Sequence, residues 1–292
     1  MLITIFTPAY NRAYSLDRLY ESLLKQTKNN FEWLIVDDGS TDNTSEIIQS
    51  FVNENKVSIH YFKQENGGKH RAINKGIQVA KGELFFIVDS DDCLTENAID
   101  RILFYYEKIR NKEKAGGICG RKALFNGKIV GVGAFDPIIS DSLSIRYKER
   151  VTGDLAEIFK TSILSEFPFP EYEGEKFCPE ALIWNRIAQK YQILYFNEPI
   201  YLCEYRADGL SAKIIKVRMK SPLASMDTYY ELLTYNIPYL QKFKAAINFW
   251  RFAFCSKRSF TEKMKRVNSF LFVGVLLGYL LHLKDVIYTS RN

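Results

Sequence analysis

The chain has 292 residues, 47% of them hydrophobic and 25% charged, an ordinary globular composition that excludes wholesale disorder and supplies core enough for one large domain or two small ones. A net charge of +6 suits anionic ligands or an anionic lipid surface but is too weak to demand nucleic acid. The five cysteines, Cys93, Cys119, Cys178, Cys203 and Cys255, have neither zinc-site nor dithiol spacing, so they read as buried, reduced thiols of a cytoplasmic protein.

The opening "MLITIFTPAYNR" lacks a basic leader and reaches Pro8 and Asn11 too soon for a secretory segment, so it reads as a first strand. Short apolar runs rich in β-branched and aromatic residues predict strands at 2–7, 32–37, 57–62 and 83–88. Between them, helical spacing joins Leu16, Leu19, Leu23 and Leu24, then Ile47, Ile48 and Phe51, then Ala72, Ile73, Ile77 and Ala80. Alternating strands and helices, with near-continuous apolar strands, imply an α/β fold with a mostly parallel central sheet flanked by helices. Such sheets bind ligands where the strands end at their carboxyl termini. Three polar clusters fall there and are expected to share one crevice: "TPAYNR" (7–12), "DDGSTDNT" (37–44) and "DSDD" (89–92).

Each cluster has its own chemistry. Thr7, Pro8, Tyr10, Asn11 and Arg12 offer backbone groups and a ring to a base and ribose, and a guanidinium to phosphate. Asp38 can accept a hydrogen bond from the imide N–H of uracil, which cytosine lacks; with Gly39 and Ser40 it can equally just form a turn and helix cap. "NGGKHR" (66–71) has neither dinucleotide-fold nor P-loop spacing, but its glycines let the backbone approach an anion while Lys69, His70 and Arg71 supply charge or donors. Asp89 and Asp91 have D-x-D spacing, with Asp92 as a further ligand or support and Ser90 between them. Carboxylates so placed suit a divalent ion, with Mn2+ and Mg2+ both compatible. An EF-hand loop starting at Asp89 would want Gly and Glu where Leu94 and Asp100 stand, and a dehalogenase-like phosphatase would want Thr or Val where Cys93 stands.

"TPAYNR", "LIVDDGSTDNT", "NGGKHRAINKGIQVAKGELFFIVDSDD" and the later "EALIWNRIA" resemble the successive motifs of the family 2 glycosyltransferases, densely over about the first 115 residues and thinly to about 210. The resemblance implies the GT-A nucleotide-sugar-binding fold, a UDP-sugar donor, and transfer with inversion at the anomeric carbon. It also implies Asp38 at the uracil, and Asp91 and Asp92 at the metal with Asp89 at metal or ribose. Aligning Trp184 and Arg186 with the family pattern puts Glu180 at the position of the catalytic base, although the usual Glu-Asp pair is here Pro179-Glu180. Pro179 and Glu180 also make a good first helical turn. Glu175 is the reserve base, Arg186 a candidate diphosphate contact, and Trp184 either core or sugar platform.

Residues 1–115 are thus expected to bind the nucleotide-sugar and 116–212 the acceptor, with Tyr205, Arg206 and Ser211 near the diphosphate. From 213 to 292 the chain becomes a helical, basic extension. Its apolar stretch "FLFVGVLLGYLLHL" (270–283) is too short to span a membrane. It suits either a helix on the inner face of the plasma membrane, as a peripheral attachment, or packing within the protein or against a second subunit in a homodimer. The expected function is sugar transfer to a glycan or lipid-linked acceptor in bacterial surface-polysaccharide or cell-wall glycan synthesis. The other reading is a non-catalytic nucleotide-sugar-binding or scaffold subunit that needs a partner.

Overall fold

In the computed structural model, which describes residues 2–205, 209, 211–265, 272 and 274–291, the predicted alternation appears as β1 (Ile3–Ala9), α1 (Leu16–Leu24), β2 (Phe31–Asp37), α2 (Thr44–Glu54), β3 (Ile59–Lys63), α3 (Lys69–Val79) and β4 (Leu84–Ile87). The four strands are mutually parallel in the order β3-β2-β1-β4. The chain therefore steps outward from β1 to β3 and then crosses to the opposite side of β1. That reversal makes the β1/β4 boundary a topological switch point, where ligand crevices open at the carboxyl ends.

Packing explains why these segments hold. All seven residues of β2 are buried, as a strand covered on both faces requires. Trp33 of β2 stacks 6.0 Å from both Tyr20 of α1 and Phe51 of α2, whose own rings lie 4.1 Å apart. Each such aromatic pair adds about 0.5–1.5 kcal/mol beyond its buried area. The Trp33 indole N–H donates to the Thr7 hydroxyl at 2.9 Å, so the Thr7 side chain serves the core.

Beyond β4 the elements are β5 (Cys93–Leu94), α4 (Ala98–Glu107), β6 (Ala115–Leu124), β7 (Ile138–Ser140), α5 (Ser142–Tyr147), β8 (Leu155–Lys160), α6 (Thr161–Glu166), α7 (Glu180–Ile187) and β9 (Gln192–Cys203). Strand β8 lies between β4 and β6, antiparallel to both; β9 runs parallel to β6, and β5 and β7 pair antiparallel with β9. The described residues thus form one mixed sheet of nine strands, parallel through β1–β4 and of mixed direction beyond. Pro199 sits in β9 beside a register shift against β6, where a strand tolerates a residue that cannot donate.

The chain divides into two compact units, Met1–Phe169 with Trp184–Glu204, and Pro170–Ile183 with Tyr205–Asn292. The first contains the whole sheet. The second contains α8 (Ile214–Lys220), α9 (Pro222–Thr234), α10 (Tyr239–Ala253), α11 (Phe260–Lys265) and α12 (Gly274–Arg291), packed on Met226, Ala246, Phe249, Trp250 and Ala253. Helix α12 is turned inside out. Gly274 and Gly278 face α10 so closely that a Cβ at Gly278 would meet Trp250 Cβ at 2.5 Å, and buried Asp285 grips Arg251 of α10 at 2.5 and 2.8 Å. Leu276, Leu280, Leu283 and Ile287 recur at helical spacing on its exposed side. Of the stretch 270–283, residues 270, 271 and 273 lie outside the described residues; among those described, no helix is long and apolar enough to cross a membrane.

Candidate active site

The loops after the parallel strands are tied to one another by their own polar groups. Asn11, which adopts a left-handed φ of 52°, accepts from the Thr41 N–H at 2.8 Å and donates its own N–H to Ser40 Oγ at 2.9 Å. The Arg12 N–H donates to Thr44 Oγ1 at 3.0 Å, and the Ala13 N–H to Asp42 Oδ2 at 3.2 Å. Asp37 closes the next turn by accepting from the Ser40 N–H at 2.7 Å and from the Tyr61 hydroxyl at 2.9 Å.

Asp38 joins the loop after β3 to this assembly. It is only 4% exposed, and its carboxylate accepts from Gln64 Nε2 at 2.7 Å, the Gly67 N–H at 2.9 Å, the Gly68 N–H at 2.7 Å and Asn66 Nδ2 at 3.2 Å. Gly68 has a φ of 100°, a conformation that favours glycine and aims its N–H at the carboxylate. A carboxylate has about four acceptor sites. These four donors tie Asp38 to the loop at 64–68 rather than to Gly39, Ser40 or the start of α2, and they fill the oxygens expected to face a uracil imide.

The acidic turn follows β4. The Val88 N–H donates to the Phe6 carbonyl at 2.8 Å, and the Asp92 N–H to the Asp89 carbonyl at 3.1 Å, while Ser90 is buried. Tyr201 of β9 organises the turn: its hydroxyl accepts from the Asp89 N–H at 3.0 Å and donates to Asp92 Oδ2 at 2.7 Å. From α1, the Arg18 guanidinium donates to the Asp91 carbonyl and stacks 4.4 Å from the centre of the Phe125 ring. Lys69, at the start of α3, pairs with Asp89 at 2.6 Å.

These surroundings pull the carboxyls apart. Burial alone would raise Asp89, but Lys69, Lys122 and Arg12 outweigh it and hold its carboxyl below the ordinary value. Asp92 is pushed up to about 7, first by burial and then by the charge of Asp89. Among the described residues, no group of three or more His, Cys, Asp or Glu side chains is arranged to hold a metal ion. Two mutually repelling carboxylates, one of them 7% exposed, nevertheless present the hard oxygen donors that Mn2+ and Mg2+ prefer. They fit an ion whose shell is completed by diphosphate oxygens rather than a protein-only cage.

Of the other expected residues, Tyr10 is exposed, Pro8 lies within β1 opposite Val36, and Arg71 is half-buried behind Gly67. Arg12 reaches the Tyr14 hydroxyl at 2.5 Å. Glu180 opens α7 and is half-buried; Arg186 lies in the last turn of the same helix. Glu175 is buried in another role, its two oxygens accepting from the Leu223 and Ala224 N–H groups at 2.7 and 3.0 Å. Burial raises its carboxyl against those two bonds, and it thus caps α9, whose first residue is Pro222. Trp184 is 8% exposed and packs on Phe159 and Phe169 at 4.6 and 6.1 Å, as a core residue does. Arg206 lies outside the described residues. Tyr201, Arg18 and Lys122 were not legible as site residues, since nothing in "FNEPIYLCEYR" or around the two cations marks a partner so distant in sequence.

A half-sheet of order 3-2-1-4 with an acidic turn at its switch point is the architecture of the GT-A fold. Solved structures agree in fold: Staphylococcus aureus TarS 1-349 superposes with a TM-score of 0.66 at 19% identity, over 98% of this chain and 89% of that one. The same TarS fragment in complex with UDP-GlcNAc gives 0.66 at 18% identity over the same shares. A mannosyltransferase, PcManGT from Pyrobaculum calidifontis, in complex with GDP-Man and Mn2+, gives 0.58 at 14% identity, over 98% and 86%. Residues 4–122 match the family model "Glycosyl transferase family 2". The glycosyltransferase GlyG of Streptococcus pneumoniae serotype 4 is 45% identical over 226 residues, 72% of each chain, whereas RT0329 of Rickettsia typhi, an uncharacterized glycosyltransferase, is 38% identical over 38% of this chain and 34% of its own length. The chain belongs to glycosyltransferase family 2 and is a glycosyltransferase.

Proposed function

We propose that this enzyme moves a sugar from a UDP-sugar to a hydroxyl of a glycan acceptor, with inversion at the anomeric carbon. The observation that supports this most is the acidic turn 89–92, set at the carboxyl end of β4 next to the rim formed by the loops after β1, β2 and β3. The UDP and UDP-GlcNAc complexes of TarS support a uracil nucleotide. The nucleotide is read by segment 7–12, through the backbone at Thr7 and Pro8 and through Tyr10, Asn11 and Arg12 beyond the strand, by the loop that Asp38 holds, and by Lys69, Arg71, Asp89, Ser90 and Asp91. For the imide to reach Asp38 itself, one of that residue's loop donors has to give way.

Asp91 and Asp92, with Asp89, would hold Mn2+ or Mg2+. When bound, the ion neutralises charge that gathers on the diphosphate as the glycosidic C–O bond breaks. Lys69 and Arg12 add fixed positive charge, joined by Arg186 and Arg206. Glu180 takes the proton of the acceptor hydroxyl as it attacks; Glu175, engaged with α9, keeps its capping role. The acceptor is bound by the 116–212 part and is lipid-linked, in the synthesis of a bacterial surface polysaccharide. The protein works on the cytoplasmic face of the plasma membrane, supported by the outward leucines of α12 beside exposed Lys284.

Calorimetric titration with UDP, CDP and GDP, with and without Mn2+, on the wild type and Asp91→Ala tests the reading. UDP binding that Mn2+ strengthens and Asp91→Ala weakens is expected. No binding of any nucleotide would overturn it in favour of a partner-dependent, non-catalytic role.

A further inference from the structure

The roles assigned above leave out a second ammonium at the acidic turn. Lys122 stands near the end of β6, in register with Tyr201 of β9, and its Nζ lies 3.9 Å from the centre of the Tyr201 ring. That ring is fully buried, and its hydroxyl is the atom that links the Asp89 N–H to the Asp92 carboxylate. Lys122 is therefore held against the group that shapes the turn. Its charge acts on both Asp89 and Asp92.

This placement answers an electrostatic difficulty. A turn of three carboxylates repels a diphosphate wherever no cation intervenes, and the repulsion is strong in a partly desolvated site. Lys69 offsets part of it at Asp89. Lys122 offsets more from the β6 side, and an aromatic face holds an ammonium without cancelling its charge. An ammonium has three N–H donors and no acceptor, which suits the oxygens of a diphosphate.

We infer that Lys122 is a diphosphate-binding residue of the donor site and gives the chain an affinity for nucleoside diphosphates that persists without a metal ion. The inference rests on the UDP-sugar reading above. It is tested by titrating UDP and uridine, each in EDTA and in Mn2+, into the wild type, Lys122→Met and Lys122→Arg. In EDTA, Lys122→Met should bind UDP about tenfold more weakly, the loss of one charge-assisted hydrogen bond. Uridine should bind it as it binds the wild type, which also shows that the variant is folded. Lys122→Arg should recover most of the UDP affinity. Equal UDP binding by the wild type and Lys122→Met, or equal losses for UDP and uridine, would overturn the inference. So would a wild type that binds UDP only with Mn2+, a result that leaves the donor reading standing. A wild type that binds UDP under neither condition would sink the donor reading itself.

Discussion

Asp38 illustrates how one side chain organises a loop. Its carboxylate receives the Gln64 and Asn66 amides and two glycine N–H groups, so replacing it with alanine strands buried donors. Asp38→Ala is expected to lose about 3 kcal/mol of stability, since unsatisfied groups that faced a charge cost more than a neutral bond. Urea unfolding measures this; a loss below about 1 kcal/mol would mean that water replaces the carboxylate readily. Tyr201→Phe removes only one hydroxyl, yet frees the Asp89 N–H and Asp92 together. It should cost about 1 kcal/mol of stability and also weaken Mn2+-dependent UDP binding several-fold. An unchanged metal response with lowered stability would reduce Tyr201 to a core residue. These two residues also mark what the sequence could and could not tell. Asp38 was visible as a functional candidate because it ends a buried strand, but its saturation by donors depends on a loop some 28 residues away. Tyr201 is 109 residues from Asp92, and no local pattern announces such a partner. Trp184 was ambiguous for the same reason, because only the neighbouring Phe159 and Phe169 show it packed as a core residue is.

At the level of elements, the parallel strands were legible because burial on both faces demands near-continuous apolar runs, and the helices between them because their apolar spacing is strict. The antiparallel insertion of β8 between β4 and β6 was not legible, since β8 is as short and as buried as the parallel strands and its partners are fixed only by distant pairing. The link between α4 and β9 is likewise tertiary. Arg101 grips Glu198 at 2.6 and 2.9 Å, joined by the Tyr105 hydroxyl at 2.5 Å. The bond from Arg101 holds Glu198 below the ordinary glutamate value, outweighing burial. A depressed carboxyl contributes stability that is complete above its unfolded pKa and disappears as pH falls through the folded one. Glu198→Gln should therefore flatten the acid side of a Tm-versus-pH curve below about pH 4.3. The effect is small, about 1 kcal/mol or less, because the pair is partly exposed and solvent screens it. In the second unit, Asp285→Ala leaves the partly buried Arg251 without its carboxylate, with only Asn248 still accepting from it, and should cost about 2–3 kcal/mol. Exchange protection lost in α10 and α12 but kept in the sheet would confirm where that energy resides.

For the molecule as a whole, the inverted α12 bears on the membrane attachment proposed above. A helix whose inner face carries two glycines, Val275, His282 and an ion pair leaves its leucines exposed on the other side. Flotation with vesicles of anionic and neutral lipid is expected to carry the protein preferentially with anionic vesicles, less so at high salt, and Leu280→Glu with Leu283→Glu should reduce the bound fraction markedly. Equal recovery of the double variant would remove the membrane from this account.

The stitched loops after β1, β2 and β3 have a kinetic consequence. Their bonds, from Thr41 to Asn11, Arg12 to Thr44 and Gly68 to Asp38, are made by the chain with itself. On the proposed reading, a nucleotide arriving there would have little backbone to order beyond the one Asp38 donor that must give way, so discrimination among nucleotides would be a matter of how long each one stays.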